Sequence, residues 1–295
     1  MAKVSVKVPA TTANIGPGFD CMGCALNIYN ILTFEVIDEG IEVTGCLDQK
    51  RNENNLAVIA YKKALETMGV EFSGVRMSMD ANIPGSRGLG SSAAIIVGAV
   101  MAASHLFGNK LSVEEIFKIS TEIEGHPDNI APALFGGLTA SFMEGETPHC
   151  VRYDIADKWR FVAIVPEFRL PTNKSRAALP KNVRFKDAVF NVSRTAVLLK
   201  AFENGDSKLL SLSLADKLHQ QYRKTFIKEY DTVERAARRA GVMGFYLSGA
   251  GPTLMCIADS DDTLPRLKSY ILAECRQPWR VLPLGIDFNG AKVVE

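Results

Sequence analysis

The sequence lacks any imbalance of charge: 34 basic side chains stand against 33 acidic ones, for a formal net charge of +1. No block of like charges forms a stripe that could track a phosphate backbone, so nucleic acid is not an expected partner. A membrane-length apolar run is also missing. The longest apolar stretch, residues 93–107, contains Ser104 and His105 and falls short of the roughly 20 residues a bilayer span needs, so it reads as a buried helix and no membrane contact is expected. The opening MAKVSVKVPA alternates like a strand and has neither the apolar core of about 7–15 residues nor the small-residue cleavage site of a secretory leader. A cytoplasmic location is expected. Six cysteines are scattered along the chain, and no second Cys/His pair follows Cys21 and Cys24 to complete a metal site, so all six read as reduced thiols. Internal repeats and low-complexity tracts are absent.

What is present is an ordinary globular composition, 47% hydrophobic and 23% charged, over 295 residues. At roughly 100–200 residues per domain this length predicts two domains, placed at 1–155 and 156–295. Alternation predicts strands at residues 3–8, 31–37 and 75–79. A helix is expected from Asn55, as N-cap, to Gly69, with Leu56, Ile59, Ala60, Ala64 and Met68 as its apolar face. Ser112 and Glu115 form a capping box for a helix over 113–124, and Gly136-Gly137 leads into a strand ending near Phe142. Residues 144–157 read as polar and irregular, and a strand follows at 161–166. Beyond it come helices at 187–204 and 207–218, a helix ending at Gly241, a strand pair around 249–251, and a final helix and strand. The fold class is α+β.

The segment IPGSRGLGSSAA at 83–94 is the most informative. Glycines let backbone N–H groups approach an anion where a helix begins, and the N–H groups at that start carry roughly half a positive charge. Gly85 to Gly90 has Walker A spacing, but Ser91 and Ser92 stand where that motif requires Lys and Ser/Thr, and the G-x-G-x-x-G pattern of dinucleotide folds is absent. VPATTANIGPGFD at 8–20 leaves a strand and projects Asn14 and Asp20 from a glycine-proline loop, where they could serve as polar anchors or as Asx-turn caps. EGHPDN at 124–129 crowds Glu124, His126, Asp128 and Asn129 onto one turn. Arg176 and Arg223 are guanidinium groups able to clamp a carboxylate or phosphoryl group.

The string P-x-x-x-G-L-G-S-S-A-A resembles the phosphate-binding motif of the GHMP kinases. The segment at 8–20 and LSGAGPT at 247–253 resemble that family's N-terminal and C-terminal motifs, and PTNKSR at 171–176 and QYR at 221–223 match further segments of its branch acting on the amino acid homoserine. The resemblance implies an N-terminal ATP-binding α/β domain like ribosomal protein S5 domain 2, a C-terminal ferredoxin-like domain, and a kinase transferring phosphate from ATP to the homoserine side-chain hydroxyl in threonine biosynthesis. It further implies that Asn55, Pro84, Gly85, Ser86, Arg87, Gly88, Leu89, Gly90, Ser91, Ser92, Ala93 and Ala94 bind ATP. Ser92 and Glu124 would hold Mg²⁺. Asn14, Asp20, His126, Thr172, Arg176 and Arg223 would bind the acceptor, and Glu124, Asp128, Asn129 and Arg176 would form the catalytic set. A homodimer is expected by the same resemblance. A mevalonate-type acceptor and a non-catalytic nucleotide-binding regulator remain as alternatives.

Overall fold

The computed structural model describes residues 2–294. The alternating opening forms β1 (Lys3–Ala13), with Val4, Val6 and Val8 in the core and Lys3, Ser5 and Lys7 turned away from it. β1 pairs antiparallel with the long β2 (Met22–Val36) through a bulge at Pro9/Ala10. β3 (Gly40–Thr44), α1 (Leu56–Met68) and β4 (Gly74–Ala81) form a crossover in which β3 and β4 pair in parallel. Three helices follow, α2 (Ser91–Leu106), α3 (Val113–Glu124) and α4 (Ile130–Phe135), and then the hairpin of β5 (Leu138–Glu144) and β6 (Thr147–Tyr153).

The second half runs β7 (Arg160–Pro166), α5 (Thr172–Ala177), α6 (Phe185–Asn204), α7 (Ser207–Ser213), α8 (Gln220–Arg223), α9 (Tyr230–Ala240), β8 (Gly244–Leu247), β9 (Leu254–Ala258), α10 (Thr263–Glu274), β10 (Trp279–Leu284) and β11 (Lys292–Val294). Its four-stranded sheet has the order β10-β7-β9-β8 and is antiparallel throughout. With α9 before β8 and α10 before β10, this is the ferredoxin-like arrangement. The first sheet has the path β11-β1-β2-β4-β3, with β5 on the start of β2 and β6 on β5. β11, beyond the residue expected to divide the domains, therefore lies in the first sheet, paired with β1.

α2 is apolar on nearly every side because it lies on β1 and β2 while α1, α3 and α4 cover it. Along β7 the period-two alternation separates two cores. Phe161, Ala163 and Val165 join the core shared with the first sheet, whereas Val162 and Ile164 face a smaller core under α9 and α10. Parting the sheets would expose Phe161, Tyr246 and Met255, each worth about 1.5–3 kcal/mol of burial. Separating the two sheets is therefore costly. Among the described residues no helix is long and apolar enough to cross a membrane.

Three local expectations are corrected. Residues 144–157, expected to be irregular, contain β6. Glu144 pairs with Thr147 across a two-residue turn in which Gly145 adopts φ 60°, and Pro148 is tolerated because β6 is an edge strand that can spare an N–H. The helix expected at 207–218 stops at Ser213, because the Asp216 carboxylate captures the backbone N–H groups of Leu218, His219 and Gln220. In α1 both expected caps are present, Asn55 accepting from the Ala57 N–H and Gly69 in the left-handed region, but Ile59 is 44% exposed and the buried face is Ala57, Val58, Ala60, Tyr61, Ala64 and Leu65.

Candidate active site

Three glycine-bearing segments, far apart in sequence, meet at the start of α2. The Thr11 N–H donates to the Leu89 carbonyl at 3.1 Å, the Gly249 N–H to Ala13 at 2.9 Å, and the Thr253 N–H to Arg87 at 3.2 Å. The Ser248 hydroxyl donates to the Gly88 carbonyl at 2.6 Å and lies 2.8 Å from the Thr12 hydroxyl. These contacts leave no room for side chains at two points. A Cβ on Gly88, at φ 74°, would meet the Ser248 carbonyl at 2.3 Å, and one on Gly90, at φ 66°, would meet Thr11 Oγ1 at 1.8 Å. Gly90→Ala is therefore expected to push the loop off β1. ATP KM should rise at least about tenfold with little change in acceptor KM, as separate titrations of the two substrates would measure.

The loop opens onto a cavity of about 820 Å³. Gly85, Ser86, Arg87, Gly88, Gly90, Ser91 and Ser92 line it, whereas Pro84 does not, and Leu89, Ala93 and Ala94 are buried beneath it. Arg87 turns its guanidinium onto the carbonyls of Gly85, Pro166 and Glu167, which ties the loop to the end of β7. Asn55 lines the cavity, but its side chain is already committed: Oδ1 caps α1 and Nδ2 donates to the Lys50 carbonyl at 2.8 Å. Sequence reasoning missed the apolar wall beyond it, made by Cys46, Leu47, Ile59, Met77, Met79 and Ile95. No sequence signal marks it: Ile59, expected on the core face of α1, turns toward the cavity only in the folded chain.

Ser92 and Glu124 face each other across the helix junction, Ser92 Oγ donating to Glu124 Oε2 at 2.6 Å. Burial raises the Glu124 pKa against the Ser92 hydrogen bond and the His126 charge. The α3 C-cap at Gly125 then turns the chain so that His126 Nδ1 meets Asp128 Oδ1 at 2.5 Å. Asn129 Nδ2 donates to the same oxygen at 3.2 Å, and Asn129 Oδ1 accepts from Thr11 at 2.7 Å. Glu124, His126 and Asn129 line the cavity, but Asp128 is 0% exposed and does not.

Asn14 and Asp20, which also line the cavity, both adopt left-handed backbone geometry, and the Asp20 N–H donates to Asn14 Oδ1 at 2.7 Å. Arg176 Nη2 bridges the two Asp20 oxygens at 2.8 and 3.0 Å. Thr172, one turn earlier on α5, also lines the cavity. Arg223 does too, although the whole residue is only 1% exposed. Its Nη1 donates to the Gly249 carbonyl at 3.0 Å, its Nε has no hydrogen-bond partner among the described residues, and burial lowers its pKa.

Two histidines here titrate in opposite senses. Fully buried His219 donates from Nε2 to the Gly16 carbonyl at 2.9 Å, its Nδ1 is unpaired, and burial lowers its pKa below 6.5. The unfolded chain takes up that proton as pH falls through about 6.5 and the folded chain does not, so this contribution to stability is complete above that value and lost below it. For His126, burial opposes the charge, but Asp128, Glu124 and Asp20 outweigh it and raise the pKa. Its contribution is complete below 6.5 and is lost as pH rises through the raised value. Because the two act in opposite senses, the His219 part is read by difference: between about pH 7 and about 5.5, thermal melts are expected to show that lowering the pH costs His219→Gln less Tm than it costs wild type, at roughly 2–4 °C per kcal/mol for a chain of this size.

Residues 55–137 match the GHMP kinases N terminal domain and residues 198–277 the GHMP kinases C terminal domain. The chain is 42% identical over 292 residues, 98% of either chain, to a homoserine kinase of Clostridium botulinum. The chain belongs to the GHMP kinase family. This GHMP kinase is also 39% identical to a homoserine kinase of Clostridium beijerinckii, over 99% of both chains. The crystal structure of a homoserine kinase from Cytophaga hutchinsonii superposes with a TM-score of 0.88 at 27% identity, covering 100% of this chain and 98% of that one. As a GHMP kinase the protein is an ATP-dependent phosphotransferase. The residues matched to the N-terminal family description begin at Asn55, so Asn14 and Asp20 lie outside that match.

Proposed function

We propose that this GHMP kinase transfers the γ-phosphoryl group of ATP to the side-chain hydroxyl of L-homoserine, giving O-phospho-L-homoserine and ADP in threonine biosynthesis. The reading is carried by similarity to named homoserine kinases that extends across both ends of the cavity rather than the phosphate loop alone. The chemistry of the far end agrees: one carboxylate, Asp20, and two guanidinium groups, Arg176 and Arg223, complement the ammonium and carboxylate of an amino acid. Mevalonate offers no ammonium for Asp20. A silent regulator would have no use for the Ser92–Glu124 pair. A coupled ADP-release assay is expected to give turnover with homoserine and none with mevalonate. Turnover with mevalonate alone would overturn the acceptor assignment, and none with either acceptor would favour the regulator.

Amides at the start of α2 receive the phosphates, with Ser91 and Ser92 adding hydroxyls, and Ile59, Met77 and Met79 form the apolar wall for the base. Ser92 Oγ and Glu124 Oε2 make an all-oxygen pair suited to Mg²⁺, which takes one or two protein oxygens and completes its shell from phosphates and water. When bound, that ion neutralises charge on the phosphate oxygens. His126, Asn129 and Thr172 complete the acceptor chamber. The acceptor hydroxyl oxygen bonds to the γ-phosphorus as the bond to the β–γ bridging oxygen breaks, and the hydroxyl proton passes to water or a phosphoryl oxygen.

Asp128 acts by position rather than as a base. It has no surface in the cavity, and its Oδ1 holds His126 and Asn129. Asp128→Asn is expected to raise homoserine KM about tenfold while kcat stays within about threefold. A kcat loss of about 100-fold at unchanged KM would restore the base role.

The proposal includes a cytoplasmic location, in keeping with six free cysteines, and pairing of two copies. Phe185, Val189 and Val192, at i, i+4 and i+7 on the outer face of α6, are exposed together with Leu212 of α7, an apolar stripe suited to a self-complementary contact. Val192→Glu should convert a sedimenting dimer to monomer.

A further inference from the structure

The loop that carries Asp20 is held from behind by groups that do not line the cavity. Asp216 has no exposed side-chain surface. Its Oδ1 accepts from Asn191 Nδ2 at 2.7 Å and from the Leu218 N–H, and its Oδ2 accepts from the His219 and Gln220 N–H groups at 3.0 and 2.8 Å. Asn191, on the inner side of α6, also donates from Nδ2 to the Pro17 carbonyl at 3.1 Å, while its Oδ1 accepts from the Lys217 N–H. His219 adds its bond to the Gly16 carbonyl. Two consecutive carbonyls of the loop, at 16 and 17, are thus each fixed by one buried side chain.

The same assembly reaches the guanidinium groups. The His219 ring stacks on Phe19, with centroids 5.2 Å apart and planes inclined by 24°. The Arg223 and Arg176 guanidinium carbons lie 5.1 and 5.7 Å from the same Phe19 ring. The His219 carbonyl also accepts the Arg223 backbone N–H at 3.2 Å. Phe19 therefore sits between the buried histidine and the two cations, one residue before Asp20.

We propose that Asp216, Asn191 and His219 are positioning residues for the acceptor, acting through the 16–20 loop to fix Phe19, and through Phe19 to fix the spacing of Asp20, Arg176 and Arg223. The inference deepens the homoserine reading and rests on it for the identity of the acceptor. None of the hydrogen bonds of Asp216, Asn191 and His219 goes to the phosphate loop, so the effect is expected chiefly on the acceptor side. Leucine at 219 would fill the space but withdraw the donor from Gly16, whereas glutamine keeps an N–H donor at the same reach.

The test compares wild type, His219→Leu and His219→Gln, measuring KM for each substrate, kcat, and hydrogen exchange at the Gly18, Cys21 and Met22 amides, which are bonded within the loop. In the leucine variant, homoserine KM should rise about tenfold or more with ATP KM and kcat within about threefold, and the three amides should exchange faster. The glutamine variant should return to within about threefold of wild type. Unchanged acceptor KM in the leucine variant, a parallel rise in ATP KM, or a glutamine variant no better than leucine would overturn the proposal. Should the leucine variant not fold, Phe19→Leu decides: it leaves the buried bonds intact, removes the ring under the guanidinium groups, and should raise acceptor KM alone. If wild type does not turn over homoserine, the acceptor reading fails, while the amide exchange still tests the hold on the loop.

Discussion

Glu124→Gln is expected to lower kcat by about 10²–10³-fold with the fold intact. Glutamine keeps the shape and can still accept from the Ser92 hydroxyl now 2.6 Å away, so packing at the α3 end changes little. What disappears is the negative charge. A hard cation between phosphates and protein needs anionic or hydroxyl oxygen, and the described residues offer no cluster of three His, Cys, Asp or Glu side chains as a substitute. Loss of several kcal/mol of charge stabilisation, at 1.36 kcal/mol per tenfold, gives the stated range. Raising Mg²⁺ should recover part of the rate in this variant, while homoserine KM measured at saturating Mg²⁺ stays near wild type. A kcat within about threefold of wild type at limiting Mg²⁺ would remove Glu124 from the metal site.

Arg223→Lys is expected to raise homoserine KM by about 10–100-fold, because lysine can make only one of the two charge-bearing contacts that the planar fork makes together, and the one lost is worth about 1.5–3 kcal/mol. In the present geometry Nη1 holds the Gly249 carbonyl while the flat face lies over Phe19, leaving the rest of the fork in the cavity. Lysine can satisfy the carbonyl or reach the acceptor, but it has no second donor in a fixed plane. Burial already disfavours the Arg223 charge, so an incoming carboxylate gains from meeting a poorly solvated cation. Isothermal titration of homoserine against both proteins would check the expectation. Equal affinities would mean that Arg223 serves only the Gly249 turn.

Much of this layout was legible in the sequence, and the reasons are local. The capping box of Ser112 and Glu115, the Asn55 and Gly69 caps of α1, and the alternating valines of β1 each depend on residues within a turn or two of one another. The glycine-rich loop at the start of α2 was visible because its glycines and serines stand together just ahead of an apolar run. Contacts between distant segments were not legible. Nothing near Thr11 indicates that its hydroxyl will reach Asn129, and nothing in the sequence around Asp216 shows that its carboxylate will bond the N–H groups that start the next helix. The apolar wall at Cys46, Leu47 and Met79 escaped notice because alternating apolar residues in strands and loops are read as core.

The pairing of β1 with β11 has a consequence for how the molecule is made. Lys7 aligns with Lys292, so one edge of β1 stays without its neighbour until the other strands among the described residues have been synthesised. During that interval its unpaired amides and carbonyls are open to any extended chain nearby, and closure depends on a contact of very long loop length, formed slowly. A nascent chain halted before residue 292 would carry a finished glycine-rich loop beside an unsealed sheet margin.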